Sequence, residues 1–208
     1  MSKLHFELLD EKRKEVFLKL KEFRNVGLLG GGTAIALQIG HRKSFDFDVL
    51  SNAPIKKDLL RKVSSAFSSH KVEVLIDSME ELTVILDSEV KITFLFYPFK
   101  PLHKEVTTDS LSLLNLKDLV SNKAYAIGRR GTWRDYVDVY FLIKAGISLE
   151  KVIEEAEIRF DGNFSEKLFL EQLTYFGDIK DFTIDFADKE ISSEEIMNFL
   201  GSEVKGLL

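Results

Sequence analysis

The sequence predicts an α+β fold: a small sheet-containing lobe over residues 1–110 and a helical lobe over residues 111–208. Three observations carry this. Short apolar or alternating runs at 26–29, 45–50, 71–76, 81–87 and 89–97 have the length and period of strands. After about residue 110 the pattern turns helical and acquires helix caps. Between the two, Pro98 and Pro101 break the pattern and place the seam near 100–114. The 208 residues suffice for a sizeable core, in one domain or two small ones. Hydrophobic residues make up 45%, with 17 Phe and only 3 Pro, which points to a packed interior of regular elements.

Taken in order, residues 11–24 read as an amphipathic helix with Val16, Phe17, Leu20 and Phe23 on one stripe. Residues 26–29 form a short buried strand that ends at Gly30, Gly31 and Gly32. A short helix follows over 33–39 and stops at Gly40. Along 45–50, Phe45, Phe47 and Val49 face one way while Asp46 and Asp48 face the other. Residues 55–69 predict a helix, and Asp87-Ser88 a tight hairpin between the last two strands. Helices are expected at 115–130, 133–145, 149–160, 164–175 and 192–204. Asn115 caps the first, and Ser192 with Glu195 makes a capping-box signature for the last.

Composition removes several kinds of chemistry. There is no Cys, so zinc–thiolate sites, disulfides and thiol catalysis are excluded. His5, His41, His70 and His103 show no metal-ligand spacing. A net charge of −5 leaves no global basic field, so any RNA contact falls to a local patch such as Lys117, Arg129, Arg130 and Arg134. The N-terminus lacks a signal-peptide core, and no apolar run approaches the ~18 residues of a membrane helix. No membrane partner and a cytoplasmic location are therefore expected. The stretch Lys180–Lys189, with Asp178, Asp181, Asp185 and Asp188 in and beside it, suits RNA poorly and is a candidate surface for a partner protein.

The chemistry concentrates in LLGGGTAIALQIGHRKSFDFDVLS. A glycine turn opening a helix offers backbone N–H groups and a positive dipole end to phosphate oxygens. Thirteen residues after Thr33, Asp46 and Asp48 place two carboxylates on one strand face, about 7 Å apart along the chain. Two unpaired carboxylates so placed raise one another's pKa, and a divalent cation relieves them. Asp is also poorly suited to strands, so a pair of them calls for an explanation. Turn and carboxylates together suit a nucleoside triphosphate with Mg²⁺ or Mn²⁺. The ordinary alternatives are a tight strand-to-helix turn and a solvated strand face. Thr33 either caps the helix or contacts phosphate. In the basic link before the strand, Arg42 or Lys43 is expected to face the triphosphate, with Ser44 orienting the loop.

The second constellation is KAYAIGRRGTWRDYVD. Lys123 and Arg130 are seven residues apart and share a helix face, and Asp135 and Asp138 share a face of the next helix. Arg134 beside Asp135 is also compatible with ordinary surface pairing.

These two segments resemble the AbiEii/AbiGii-type nucleotidyltransferase toxins of the DNA polymerase β-like nucleotidyltransferase superfamily. The resemblance covers roughly residues 26–145. It implies a mixed-sheet nucleotidyltransferase palm flanked by helices, then a helical C-terminal lobe that completes the active site. It implies metal binding by Asp46 and Asp48, a triphosphate cradle at Gly31, Gly32 and Thr33, and a contact from Lys123 to phosphates or base-proximal groups; the reading of the residues adds Arg42, Ser44 and Arg130 as nucleotide-binding candidates. Asp138, with Asp135, would complete the polar set. Similar proteins act as toxins beside an antitoxin or in phage defence, and some transfer nucleotides to the acceptor end of tRNA. One departure stands out. Many members carry a third carboxylate on a later strand, and the nearest match to that position here is Thr93. Either Asp138 serves in its place or the palm is weakened, which keeps a catalytically silent nucleotide-binding or protein-interaction module as the alternative.

Overall fold

A computed structural model describes residues 3–207, and every side chain among them except that of Arg130. The described residues form a mixed five-stranded sheet in the order β1-β2-β5-β4-β3. Its strands are β1 (Leu28–Leu29), β2 (Phe47–Ser51), β3 (Val72–Asp77), β4 (Glu81–Leu86) and β5 (Val90–Phe96). β2 and β5 run parallel, and the other neighbours are antiparallel.

Helix α1 (Glu11–Lys19) begins where the Asp10 side chain accepts the Arg13 amide, and it tightens into a 3-10 turn at Leu20–Phe23. The apolar stripe behaves as its spacing requires: Val16, Phe17, Leu20 and Phe23 are all buried. Phe23 packs 5.0 Å from Phe94 and 6.3 Å from Phe67. This stripe and α3 (Leu59–Ala66) cover the sheet face carrying Phe47, Val49, Val84, Ile92 and Phe94. Strand alternation turns the intervening residues, among them Asp48 and Thr93, to the opposite face.

β2 corrects the expected strand at both ends. Asp46 lies just before it, and Phe45 is 42% exposed under the Arg13 guanidinium instead of joining the core. The hairpin after β4 turns on Asp87 and Ser88, both at positive φ, as a two-residue connection between right-twisted strands demands.

The second lobe contains α4 (Leu116–Arg130), α5 (Trp133–Lys144), α6 (Leu149–Phe160), α7 (Glu166–Leu173) and α8 (Ser193–Leu207). Asn115 caps α4, and Ser192 accepts the Glu195 amide at the start of α8. α7 is shorter than its apolar pattern because Ser165 caps it late and Thr174 ends it. One hydrophobic cluster runs through both lobes. The seam takes part in it: the Leu29 amide donates to the Ser112 carbonyl and the Leu114 amide to the Leu29 carbonyl (both 2.9 Å), extending the β1 edge. Residues 185–187 also pair with 41–43, the Lys43 amide donating to the Asp185 carbonyl (2.8 Å) and the Ala187 amide to the His41 carbonyl (3.1 Å). The acidic stretch around 180–189 is thus partly anchored to the basic link. No helix among the described residues is long and apolar enough to cross a membrane.

Candidate active site

The glycine triplet is explained by what lies against it. The Gly30 amide donates to the Asp48 carbonyl (2.8 Å), drawing the turn onto β2. Gly31, at φ +64°, is left-handed, and a Cβ there would collide with the Asp48 carboxylate. A Cβ on Gly32 would collide with the Arg42 guanidinium. The turn therefore runs close to one acidic and one basic group. Helix α2 (Gly31–Ile39) starts here, with Gly30 as its cap and no side chain on its first amides. Those amides remain available to an anion. Thr33 is buried, and its hydroxyl hydrogen-bonds Ser44 Oγ (2.9 Å) and the Asp46 carbonyl. The hydroxyl does not cap the helix: it ties α2 to the loop leading into β2, and Ser44 is its partner.

Asp46 and Asp48 differ in surroundings. Asp46 is 40% exposed and pairs with Lys91 (2.9 Å). Asp48 carries no hydrogen bond or ion pair among the described residues, and burial followed by the neighbouring Asp46 charge pushes its carboxyl above the usual range. Among the described residues no three His, Cys, Asp or Glu side chains converge into a ready ligand set. Two hard carboxylates beside an anion cradle nevertheless fit Mg²⁺, which keeps several waters and takes one or two carboxylates plus substrate phosphates.

Beside this pair lies a buried ionic hub. Asp138, on α5, is wholly buried and accepts from four groups. His41 Nε2 lies 2.8 Å from Oδ1, Arg42 donates from Nε (2.7 Å) and Nη2 (3.0 Å), and Lys123 Nζ lies 2.8 Å from Oδ2. Lys123 also pairs with Asp135 (2.7 Å), whose other oxygen accepts the Thr132 amide and hydroxyl in a capping box. Burial alone would raise the Asp138 carboxyl, but Lys123, Arg42 and the His41 hydrogen bond hold it well below the usual range. Burial works against Lys123 too, and Asp138 with Asp135 outweighs it, so the ammonium stays charged. For His41 burial wins over Asp138, and its pKa falls. With His41 neutral the hub balances: Arg42 and Lys123 against Asp138 and Asp135.

The structure thus gathers Gly31, Gly32, Thr33, Ser44, Asp46 and Asp48 with Lys123, Asp135 and Asp138 at one meeting of the lobes. Lys123 acts on the Asp48 charge, which links hub to pair. Arg42 does not extend outward: its guanidinium is held by Asp138 and its Nη1 donates to the Lys43 carbonyl. The Arg130 side chain lies outside the described ones. Arg134 and Asp135 do not form the surface pair that adjacency allows, because Asp135 is taken by Lys123 and Thr132. Sequence reasoning passed over His41 and Lys91. Neighbouring a basic pair, His41 looked like loop, and Lys91 is brought opposite Asp46 only by the β2–β5 register.

The mixed sheet followed by a helical lobe is the nucleotidyltransferase fold, and solved structures show the same architecture. JHP933 from Helicobacter pylori superposes with a TM-score of 0.58 at 16% identity, over 96% of this chain and 93% of that one. MenT4, a nucleotidyltransferase toxin from Mycobacterium tuberculosis H37Rv, gives 0.60 at 12% identity, over 92% and 80%. The sequence model described as nucleotidyl transferase AbiEii toxin, of a type IV toxin–antitoxin system, matches residues 18–200. The chain belongs to the AbiEii nucleotidyltransferase toxin family. An uncharacterized protein of Aquifex aeolicus (strain VF5) is 28% identical over 183 residues, 86% of this chain and 87% of the relative.

Proposed function

We propose that the chain moves a nucleoside monophosphate from a nucleoside triphosphate to an acceptor hydroxyl, on an RNA end such as that of tRNA or on a protein, as the toxin of a pair with a cognate antitoxin. Family membership supports the transfer and the toxin role. The observation that carries the metal-dependent reading is Asp48: a carboxylate with no cation partner among the described residues, beside Asp46 and against the glycine turn. Asp46 and Asp48 would hold Mg²⁺ or Mn²⁺. When bound, the metal would draw charge from the phosphate oxygens and favour ionisation of the attacking hydroxyl.

The chain's own groups do the rest by position and charge. The amides of Gly31, Gly32 and Thr33 face the triphosphate at the start of α2. Lys123 supplies a fixed cation beside them, its direction set by Asp135 and Asp138. Asp138 holds Arg42 under Gly32 and so sets the turn that receives the phosphates. Arg130, at the end of α4, would add a further phosphate contact.

The test is incubation of the purified protein with each α-labelled nucleoside triphosphate, Mg²⁺, total cellular RNA and soluble protein, beside Asp46→Ala/Asp48→Ala. Label on RNA or on a protein band with the wild type alone establishes the transfer and names acceptor and base. Transfer by the double variant at the wild-type rate removes the metal role. The second reading, a silent nucleotide-binding module, is favoured by Thr93 at the expected third-carboxylate position, and binding of triphosphate without turnover on any acceptor would establish it.

A further inference from the structure

The missing third carboxylate has a structural answer one strand away. Asp48 on β2 stands opposite Thr93 on β5, and Thr93 stands opposite Thr83 on β4, so the three side chains form a row on one sheet face. Two residues before Thr83 on β4, and therefore on the same face, is Glu81. Glu81 Oε1 lies 2.6 Å from Thr83 Oγ1, and Thr83 Oγ1 lies 3.1 Å from Thr93 Oγ1.

The proton directions in this row are fixed by chemistry. An ionised carboxylate only accepts, so Thr83 gives its one proton to Glu81, and the short separation is that of a charge-assisted bond. With its proton spent, Thr83 can only accept from Thr93. Thr93 in turn presents bare lone pairs away from Thr83, on the side of the row where Asp48 lies. A cross-strand threonine pair alone would be ordinary sheet stabilisation. The half-buried glutamate at its end gives it polarity, because it orders both hydroxyls in one direction.

We propose that Glu81 is the proton acceptor of the transfer reaction, acting through Thr83 and Thr93 in place of a carboxylate on β5. The inference rests on the nucleotidyl-transfer reading. As the acceptor oxygen bonds to the α-phosphorus, its proton passes to Thr93 Oγ1, the Thr93 proton to Thr83 Oγ1, and the Thr83 proton to Glu81. The bond from the α-phosphorus to the bridging oxygen breaks, and its electron pair leaves with pyrophosphate. Glu81 then returns its proton to water. Thr93 is the only member that touches substrate, and Thr83 and Glu81 position and drain it.

The experiment uses the full chain with α-labelled nucleoside triphosphates, Mg²⁺, and total cellular RNA plus soluble protein. The wild type is compared with Glu81→Gln, Thr93→Val, Thr93→Ser and Glu81→Gln/Thr93→Asp. Glu81→Gln and Thr93→Val should each lower kcat on the order of 10²-fold, with the triphosphate KM and the melting temperature near wild type. Thr93→Ser, which keeps the hydroxyl, should recover at least about tenfold over Thr93→Val. In Glu81→Gln/Thr93→Asp, a carboxylate placed directly on β5 should recover at least about tenfold over Glu81→Gln, which a merely structural role for Glu81 would not produce. Wild-type kcat in Glu81→Gln or in Thr93→Val overturns the relay alone, as does a double variant no faster than Glu81→Gln. A wild type that transfers to nothing overturns the transfer reading and the relay with it.

Discussion

Two acidic clusters adjoin one glycine turn, and they are built in opposite ways. Asp138 is fully buried yet surrounded by donors, and its charge is answered by Arg42 and Lys123. Asp48 is less enclosed and carries no partner among the described residues, with Asp46 pushing against it. The first arrangement stabilises the folded chain in the absence of any ligand. The second leaves the chain under electrostatic strain that a divalent cation would relieve. The difference teaches which carboxylate the fold itself satisfies and which it leaves unsatisfied, and burial alone would have ranked them the other way.

The sharpest test of that contrast is removal of Asp46 and Asp48 together. Asp46→Ala/Asp48→Ala should abolish labelled-nucleotide transfer, on the order of 10³-fold or more, while circular dichroism and melting remain those of a folded protein. Removal of the scaffold carboxylate should cost stability as well as transfer. Asp138→Ala strands two buried cations and should destabilise the fold by about 3–5 kcal/mol in denaturant unfolding. If Asp138→Ala melts like the wild type, the hub is not structural.

A third test uses pH. The folded pKa of His41 is depressed by burial, so the unfolded chain takes up a proton near pH 6.5 that the folded one refuses. Stability from this group is present above that pH and is lost as pH falls below it. Asp138, depressed as well, adds a loss at lower pH. Replacing His41 with Gln, which can still donate to Asp138, should flatten the stability–pH slope below about pH 6.5 by up to about 1.4 kcal/mol per unit. An unchanged slope would mean that His41 is charged in the hub.

Smaller effects complete the series. Asp48→Asn should stabilise the metal-free protein by roughly 1 kcal/mol or less, raising its melting temperature, and should abolish the upward shift expected of the wild type with Mg²⁺. A fall in melting temperature would show that Asp48 has a structural partner. The smallest change is expected at the exposed Lys43–Asp185 pair, 3.3 Å apart, where Lys43→Ala should cost under about 1 kcal/mol and lose even that in high salt.

Much of this was legible in the chain itself. The helix stripe of Val16, Phe17, Leu20 and Phe23, the Asp87-Ser88 hairpin and the Asn115 cap are local patterns, and local patterns are set by residues a few positions apart. The glycine turn and the Asp-x-Asp were legible for the same reason, as was the helix pairing that aligns Asp135 and Asp138. Phe45 misled because alternation says which side a residue faces and not whether the sheet extends far enough to bury it.

What the sequence determined alone is the order of elements, the placement of chemistry-bearing residues on them, and the superfamily signature. What only the tertiary structure decided is how those residues share charge. Nothing in the spacing says that Arg42 pairs with Asp138, ninety-six residues away, or that Asp48 has no partner among the described residues. Nor does it say that Thr93 meets Glu81 through Thr83, which depends on the register of three strands. Ion pairs and strand registers are long-range agreements. They are fixed by packing a whole core at once, so no window of neighbouring residues contains them.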